Sequence, residues 1–363
     1  MDSLINSILA VAPTGLWETI IIAFEGLFGS FALSIIVLTV IIKLLMSPID
    51  FFNRRSTAKM TKVQQKIQPQ VDAINRKYAN NKEELNKKLG ELYQREKLNP
   101  MGSCLTMLLS FGLTLALFIT LLNGMNAMAS YKIVNQYEQI QIAYVQEYVQ
   151  ETYSINIHDV INENDAKEDS DETKKSVFEI CKPYIDEIKN LTEKQQVANA
   201  NVEKVYEDTQ ESFLWIKNIW VADNPFKSSI PTFDEYVDVA RISREDANIN
   251  TYKETYEQIM NPLRETNSRA NGFFILVLVA AGVAFLNQWL VSKKAAQKSK
   301  AMLIIIPVLM GIFTLQYTTM FAIYIIISQL VSIALLPIIN KINDYIDKRQ
   351  EAKNQPADRL KRI

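Results

Sequence analysis

The stretch FALSIIVLTVIIKLLMSP, residues 31–48, decides the fold of this chain. No charged residue occurs from Gly26 to Ile42, and the sequence is apolar again directly after Lys43. About 20 apolar residues cross the hydrocarbon core of a bilayer, so the stretch predicts a membrane-spanning helix. At ~1.5 Å of rise per residue, Lys43 lies roughly 10 Å from the polar segment that begins at Asp50. The helix therefore carries one cation inside its apolar length.

A charge at that depth needs a polar environment, because at mid-bilayer it costs about 2.5–3.5 kcal/mol on insertion scales. Lys43 could snorkel towards the headgroups with its long side chain. Alternatively, it could face a polar cavity within the protein. Thr106, Ser110 and Thr114 recur every four residues in another apolar run and so share one helix face. Such a face either packs against neighbouring helices or lines the cavity that Lys43 faces.

Four uncharged runs predict the membrane spans. They cover 26–42, 98–131, 270–292 and 301–340. The last run is too long for one span and divides near Gln316–Thr319 into two. The predicted fold class is therefore all-α: a polytopic membrane protein with five transmembrane helices, a cytoplasmic helical hairpin and a mostly helical extracytoplasmic domain.

The charges between the runs predict which side each segment occupies. Residues 51–99 hold 12 Lys and Arg against 5 Asp and Glu, whereas residues 124–271 hold 15 against 27. The short segments 293–300 and 340–363 are basic as well. Since cytoplasmic loops carry the excess of Lys and Arg, the basic segments belong in the cytoplasm and the acidic segment outside. Five spans then put the N-terminus outside and the C-terminus in the cytoplasm of a cell-membrane protein.

The predicted segments follow in chain order. They are an extracytoplasmic N-terminus with an interfacial helix (1–29), the first span (30–50), the cytoplasmic helical hairpin (51–99), the second span (100–124), the extracytoplasmic acidic helical domain (125–271), the third span (272–292), a cytoplasmic basic loop (293–300), the fourth span (301–317), the fifth span (318–339) and a cytoplasmic basic tail (340–363).

Two apolar stripes predict the hairpin. Ile67, Val71 and Ile74 recur at helical spacing, Leu85, Leu89 and Leu92 do so again, and Asn80–Asn81 supplies the turn. Two such helices would bury their stripes on each other, with Pro48 and Asn99–Pro100 as joints to the spans. The basic outer faces are either simply solvated or lie near anionic lipid or an acidic partner such as ribosomal RNA.

The remaining segments outside the spans give weaker signals. Residues 14–28 read as a short interfacial helix, or else extend the first span. Helical spacing continues through 125–160 and 174–213, with an acidic linker at 163–172 between them. Trp215 and Trp220 favour a membrane-surface position for 213–226. The tail beyond the fifth span is charged and is expected to be disordered after its first turns.

The sequence gives no sign of a catalytic or metal-binding site. The sequence contains no HExxH, GxSxG, P-loop or CxxC motif, so we expect no enzyme activity, no cofactor and no metal site. His158, the only histidine, lies in an acidic stretch and is expected to be solvated. Cys104 and Cys181 are separated by a span and are not expected to form a disulfide.

Five pieces in this order resemble the YidC/Oxa/Alb-type membrane protein insertases. They are IIVLTVIIKLLMSPI, the hairpin stretch IQPQVDAINRKYANN, NPMGSCLTMLL, FLWIKNIWVADNPF, and MLIIIPVLM through FAIYIIISQLVS. The resemblance covers most of the chain outside 128–212. Lys43 stands where the family usually has Arg, Ser110 where it frequently has Gln, and Ile325 where it has an aromatic residue. The outer domain of some members is β-rich, whereas the segment here is expected to be helical.

The resemblance implies an insertase that works without nucleotide hydrolysis. Its five spans would enclose a hydrophilic groove, with Lys43 as the cation and Thr106, Ser110, Thr114 and Gln329 as polar lining. Its substrates would be nascent membrane proteins, and the hairpin and basic tail could meet a ribosome or the Sec translocon beside the membrane lipids. Two other readings stay open: an assembly scaffold whose extracytoplasmic domain binds partners, or a small transporter.

Overall fold

The computed structural model describes residues 13–96, 100–167, 174–267, 270–293 and 300–354. Within these ranges the backbone forms twelve α-helices and no strand beyond two isolated β-bridges. The helices are α1 (Leu16–Phe28), α2 (Phe31–Lys77), α3 (Lys82–Arg95), α4 (Pro100–Tyr153), α5 (Ile157–Asp165), α6 (Val177–Ile188), α7 (Thr192–Thr209), α8 (Phe233–Ala240), α9 (Ile249–Thr266), α10 (Ile275–Ser292), α11 (Lys300–Gln316) and α12 (Thr319–Asn354).

Four of these helices are long and apolar enough to cross a membrane: α2, α4, α10 and α12. The shorter α11 is also apolar, and its 17 residues match the lower end of the length that spans a bilayer. The predicted all-α class of a polytopic membrane protein is therefore confirmed. The division into five spans with assigned sides stays a prediction.

Two compact units make up the chain. The first comprises Met1–Ile35, Leu121–Leu278 and Ile312–Ile323, and the second comprises Ile36–Thr120, Val279–Gly311 and Tyr324–Ile363. The first unit thus holds the predicted helical domain together with the first residues of α10 and α12. The second holds the greater part of the apolar helices and the predicted hairpin.

In the first unit, α1 is a helix separate from α2. It ends at Gly29, whose φ of 64° places it in the left-handed region that glycine adopts without strain. The Gly29 backbone N–H donates to the Glu25 carbonyl and closes the last turn. The alternative that these residues extend the first span is therefore wrong. The position of α1 at a membrane surface stays a prediction.

The helical domain is built around aromatic side chains. Rings of Tyr137, Tyr236 and Tyr256 lie within 5.1 Å of one another in pairs, and Phe178 stacks on Tyr252 at 3.8 Å. Buried Tyr and Phe contribute large apolar areas, which explains how a highly charged segment keeps a core. Between α5 and α6 the predicted linker 163–172 is helical at its start, because α5 reaches Asp165, and its part after Lys167 lies outside the described residues.

Cys181 lies fully buried in α6. Burial raises the pKa of its thiol to about 12, so the thiolate that reacts with labelling reagents is scarce at neutral pH in the folded chain.

In the second unit, α2 continues through Pro48 without a break. A proline lacks the N–H that would bond the carbonyl four residues earlier, here that of Leu44. The Ser47 hydroxyl donates to this carbonyl at 2.8 Å and replaces the missing bond. The expected joint at Pro48 is therefore wrong: the span and the first arm of the hairpin form one helix of 47 residues.

The hairpin itself has the predicted turn. Backbone turns follow α2 at 78–80, and the Asn81 side chain accepts a hydrogen bond from the Glu84 N–H to start α3. Ile67 and Leu92, one from each apolar stripe, are buried. At its open end, Arg95 donates to Gln70 at 2.6 Å, which ties the arms together.

The C-terminal tail differs from expectation. Instead of ending soon after residue 339, α12 continues as a helix to Asn354. Arg55 of α2 donates to Asn343 at 3.3 Å and forms an ion pair with Asp347 at 3.4 Å. These two partners are four residues apart and so share one helix face. This contact stabilises the charged segment as a helix. The tail beyond Asn354 lies outside the described residues.

Candidate functional site

All five predicted site residues belong to the second unit. Lys43 is half-buried on α2. One turn earlier on the same face, Thr39 is fully buried, whereas the neighbouring Leu44 and Leu45 are exposed. On a spanning helix, exposed leucines mark the side that faces lipid. Lys43 therefore lies on the face that the protein covers and not on the most exposed one.

Two charged residues that influence Lys43 lie further along the same helix. Asp50 and Arg54, seven and eleven residues on, act electrostatically on its amine. Spacings of seven and eleven residues return to one helix face. The face thus runs from a buried hydroxyl through a half-buried amine to a charged pair where α2 leaves the apolar stretch.

The predicted polar face of α4 is only partly described. Thr106 and Ser110 lie on α4 at the spacing expected, but their side chains fall outside the part of the chain that the structure describes. Thr114 is exposed on the next turn. A groove lined by these three residues and Lys43 stays a prediction.

Gln329 has a partner that the sequence reasoning missed. It is half-buried on α12, and its side-chain oxygen accepts a hydrogen bond from the Asn287 amide of α10. The Asn287 side-chain oxygen is itself buried and has no hydrogen-bond partner among the described residues. An interhelical hydrogen bond in a membrane contributes about 0.6–2 kcal/mol. The signal in the sequence was an asparagine within an uncharged run.

A further polar cluster in the first unit fixes the start of α10. The Asp223 carboxylate is fully buried and accepts hydrogen bonds from the backbone N–H groups of Phe273, Phe274 and Leu276 at 2.7, 3.1 and 2.7 Å. It thereby satisfies N–H groups that a helix leaves unpaired at its N-terminus. The chain must come close here, since a Cβ on Gly272 would lie 1.9 Å from the carboxylate.

Asp223 lies in a loop formed by residues 211–226, which we call the 211–226 loop. This loop also holds the start of α12. The Thr319 backbone N–H and hydroxyl both donate to the Val221 carbonyl, at 3.1 and 2.7 Å, and the Met320 N–H donates to Ile219. The Asn271 amide adds bonds to three carbonyls of the loop. One loop therefore fixes the first turns of two apolar helices.

Trp220 of this loop is not at a surface. It is 5% exposed, and its ring packs edge-on against Phe31 with centroids 5.2 Å apart. The ring of Trp220 is therefore covered by the protein, and the membrane-surface position of 213–226 stays a prediction.

Across the described ranges, no group of three or more His, Cys, Asp or Glu side chains could hold a metal ion. His158 is exposed on α5, as its acidic surroundings suggested.

Apolar helices of spanning length, with a half-buried amine and an amide pair among them, define the class as a multi-pass all-α protein of the cell membrane. The family model described as "60Kd inner membrane protein" matches residues 23–348, most of the chain. The chain therefore belongs to this family, that of the YidC/Oxa/Alb-type insertases.

Similar proteins carry the name membrane protein insertase YidC. The protein of Fusobacterium nucleatum subsp. nucleatum is 40% identical over 96 residues, which are 26% of this chain and 45% of that protein. The protein of Geobacter sulfurreducens is 37% identical over 99 residues, 27% of this chain and 18% of the relative. That of Ectopseudomonas mendocina is 36% identical over 100 residues, 28% and 16% respectively. The matched part thus spans less than half the length of these curated relatives.

Proposed function

We propose that this protein is a membrane protein insertase that acts on nascent membrane proteins without nucleotide hydrolysis. Its family membership and the name of its relatives support this function. The observation that carries the proposal is the position of Lys43, half-buried beside the exposed leucines of α2. A cation kept on the covered face of a spanning helix suits a polar groove better than a snorkelling role.

The mechanism is physical. A nascent single-span protein has to move a short polar tail across the bilayer, and desolvation of that tail opposes the step. A groove with Lys43, Thr106, Ser110, Thr114 and Gln329 along it would keep the tail hydrated for part of the way. The amine of Lys43 would attract carboxylates of the tail during passage. The apolar span of the substrate would then leave between α10 and α12 into lipid, driven by its own hydrophobicity.

The Asn287–Gln329 pair extends this proposal. The pair joins α10 to α12, the two helices between which we place the exit. The Asn287 side-chain oxygen has an unused acceptor site but is buried, so a substrate would reach it only where α10 and α12 separate to let the substrate pass. The polar lining would thus include a residue on the third span as well.

The hairpin and the C-terminal tail would receive the substrate. We propose that the hairpin and the tail lie in the cytoplasm, where their basic surfaces could meet a ribosome or the Sec translocon, and that the N-terminus and the helical domain lie outside. The excess of Lys and Arg in 51–99 and of acid in 124–271 supports these sides.

Complementation tests the function. In cells depleted of their own insertase, the full chain should restore growth and the insertion of single-span proteins. Lys43→Ala should restore less, whereas the matched control Lys59→Ala, at an exposed lysine of the same helix, should restore as much as the unchanged chain. A chain that reaches the membrane at normal level and restores no insertion would overturn the proposal and favour a scaffold.

A further inference from the structure

The 211–226 loop contains a turn whose residues do not suit its shape. Phe213 and Ile216 exchange backbone hydrogen bonds at 3.0 and 2.9 Å, so Leu214 and Trp215 form a two-residue turn. A two-residue turn with a positive φ at its first central residue alone favours Gly at that position. Leu214 occupies this position with φ 53°, and its side chain is 73% exposed. A bulky apolar side chain is held in a strained conformation and is left uncovered.

A second uncovered apolar side chain lies at the other end of the loop. Phe226 is 88% exposed. Its position is fixed, because its backbone N–H donates to the Asn224 side chain at 2.8 Å and its ring lies 5.9 Å from that of Phe274. Strained or fixed backbone around an exposed apolar group points to a contact that the chain alone does not contain.

Both side chains lie at the level where two spanning helices begin. Phe274 immediately precedes α10, and a Cβ on Gly272 would lie 2.9 Å from the Ile216 side chain. Leu214 is two residues from Ile216, at most about 7 Å of extended chain. The headgroup layer on each side of the hydrocarbon core is about 5–8 Å thick. Leu214 and Phe226 are therefore within reach of that layer.

The charge of the loop agrees with a lipid surface. In the loop and the two residues after it, 211–228, the charged residues are Glu211, Lys217, Asp223 and Lys227, of which Glu211 is half-buried and Asp223 is buried under the start of α10. Lys227 forms an ion pair with Glu235 at 3.2 Å. The exposed charge here is thus close to neutral, whereas the surrounding segment is strongly acidic and would be repelled by anionic headgroups.

We propose that the 211–226 loop is a lipid anchor: Leu214 and Phe226 insert into the phospholipid headgroup layer beside the first turns of α10 and α12. The anchor would hold the helical domain against the bilayer through side chains instead of a further span. This role does not depend on insertase activity, and the two exposed residues replace Trp220 as the groups that meet the membrane.

Fluorescence quenching in nanodiscs tests the anchor. The full chain, with Cys104→Ser, would carry a single added cysteine at Leu214 or Phe226, labelled with an environment-sensitive dye. The native Cys181 is fully buried and stays unlabelled in the folded protein. Leu191→Cys, at an exposed leucine between α6 and α7, is the matched control. Nanodiscs of mixed neutral and anionic phospholipid leave both faces open to an aqueous quencher.

We expect dyes at Leu214 and Phe226 to be quenched by lipids with a spin label near the headgroup. Iodide in the water should quench them at least threefold less than the dye at Leu191. Iodide quenching equal to that at Leu191 would overturn the proposal. Dyes shielded from iodide but not quenched by the labelled lipids would overturn it too, since that pattern places the loop against protein.

Discussion

Replacing Asp223 should loosen the start of α10. The carboxylate accepts three backbone hydrogen bonds of 2.7–3.1 Å in a fully buried position. Loss of a helix N-cap costs about 0.5–2 kcal/mol, and each buried N–H left unpaired costs about 1–3 kcal/mol. Water entering the gap would recover part of this. For Asp223→Ala we expect a loss of about 3 kcal/mol, which corresponds to roughly a hundredfold change in an equilibrium constant.

Asp223→Asn should be milder. It keeps the size and one acceptor oxygen, but its NH₂ group would meet the Leu276 N–H, and hydrogen bonds to a charged acceptor are the stronger ones. We expect a loss of about 1–2 kcal/mol. Asp208→Ala is the control: it removes an exposed carboxylate at the end of α7 and should change stability by no more than about 0.5 kcal/mol.

Two measurements check this order. Unfolding in mixed micelles should give midpoints that fall from the unchanged chain to Asp223→Asn and then to Asp223→Ala. Hydrogen exchange should rise in the peptide that covers residues 271–278, by up to about a hundredfold if the site opens locally. If Asp223→Ala matched Asp208→Ala in both measurements, the capping role would be refuted.

Three further predictions concern the spans and their sides. In an insertion assay with an acidic-tailed substrate, Lys43→Arg should keep insertion, Lys43→Ala should impair it, and Lys43→Glu should impair it more. Both impairments should be smaller for a substrate with an uncharged tail. Full activity of Lys43→Glu on the acidic-tailed substrate would leave only a snorkelling role for Lys43. A cysteine at Lys87 should react with an impermeant reagent only in permeabilised cells and one at Leu191 in intact cells, and the reverse pattern would end the proposed topology. Asn287→Ala should destabilise the chain by about 1 kcal/mol and Gln329→Ala by a similar amount, with the double variant costing less than their sum; strict additivity in a double-mutant cycle would show that the pair is not coupled.

The sequence alone determined the features that depend on neighbours along the chain. Apolar runs predicted the long helices, and helical spacing of apolar residues predicted the hairpin and an all-α domain, because hydrophobic periodicity reflects which face of a helix is covered. The turn at Asn80–Asn81 was readable because Asn caps helices through its own side chain. The five motifs also indicated the family that the comparison shows.

Only the tertiary structure decided which distant residues meet. Gln329 was predicted as part of the polar lining of a groove, yet its hydrogen-bond partner is 42 positions away, and Asp223 caps a helix that begins some 50 positions later. A tryptophan such as Trp220 is a residue type typical of membrane surfaces, but its ring packs on Phe31 and is buried. The tail stays helical through a contact with Arg55, nearly 290 positions earlier. A pattern along the chain indicates that a side chain will be buried or hydrogen-bonded. Which of many chemically equivalent residues becomes its partner is decided by tertiary packing, and local sequence does not encode that choice.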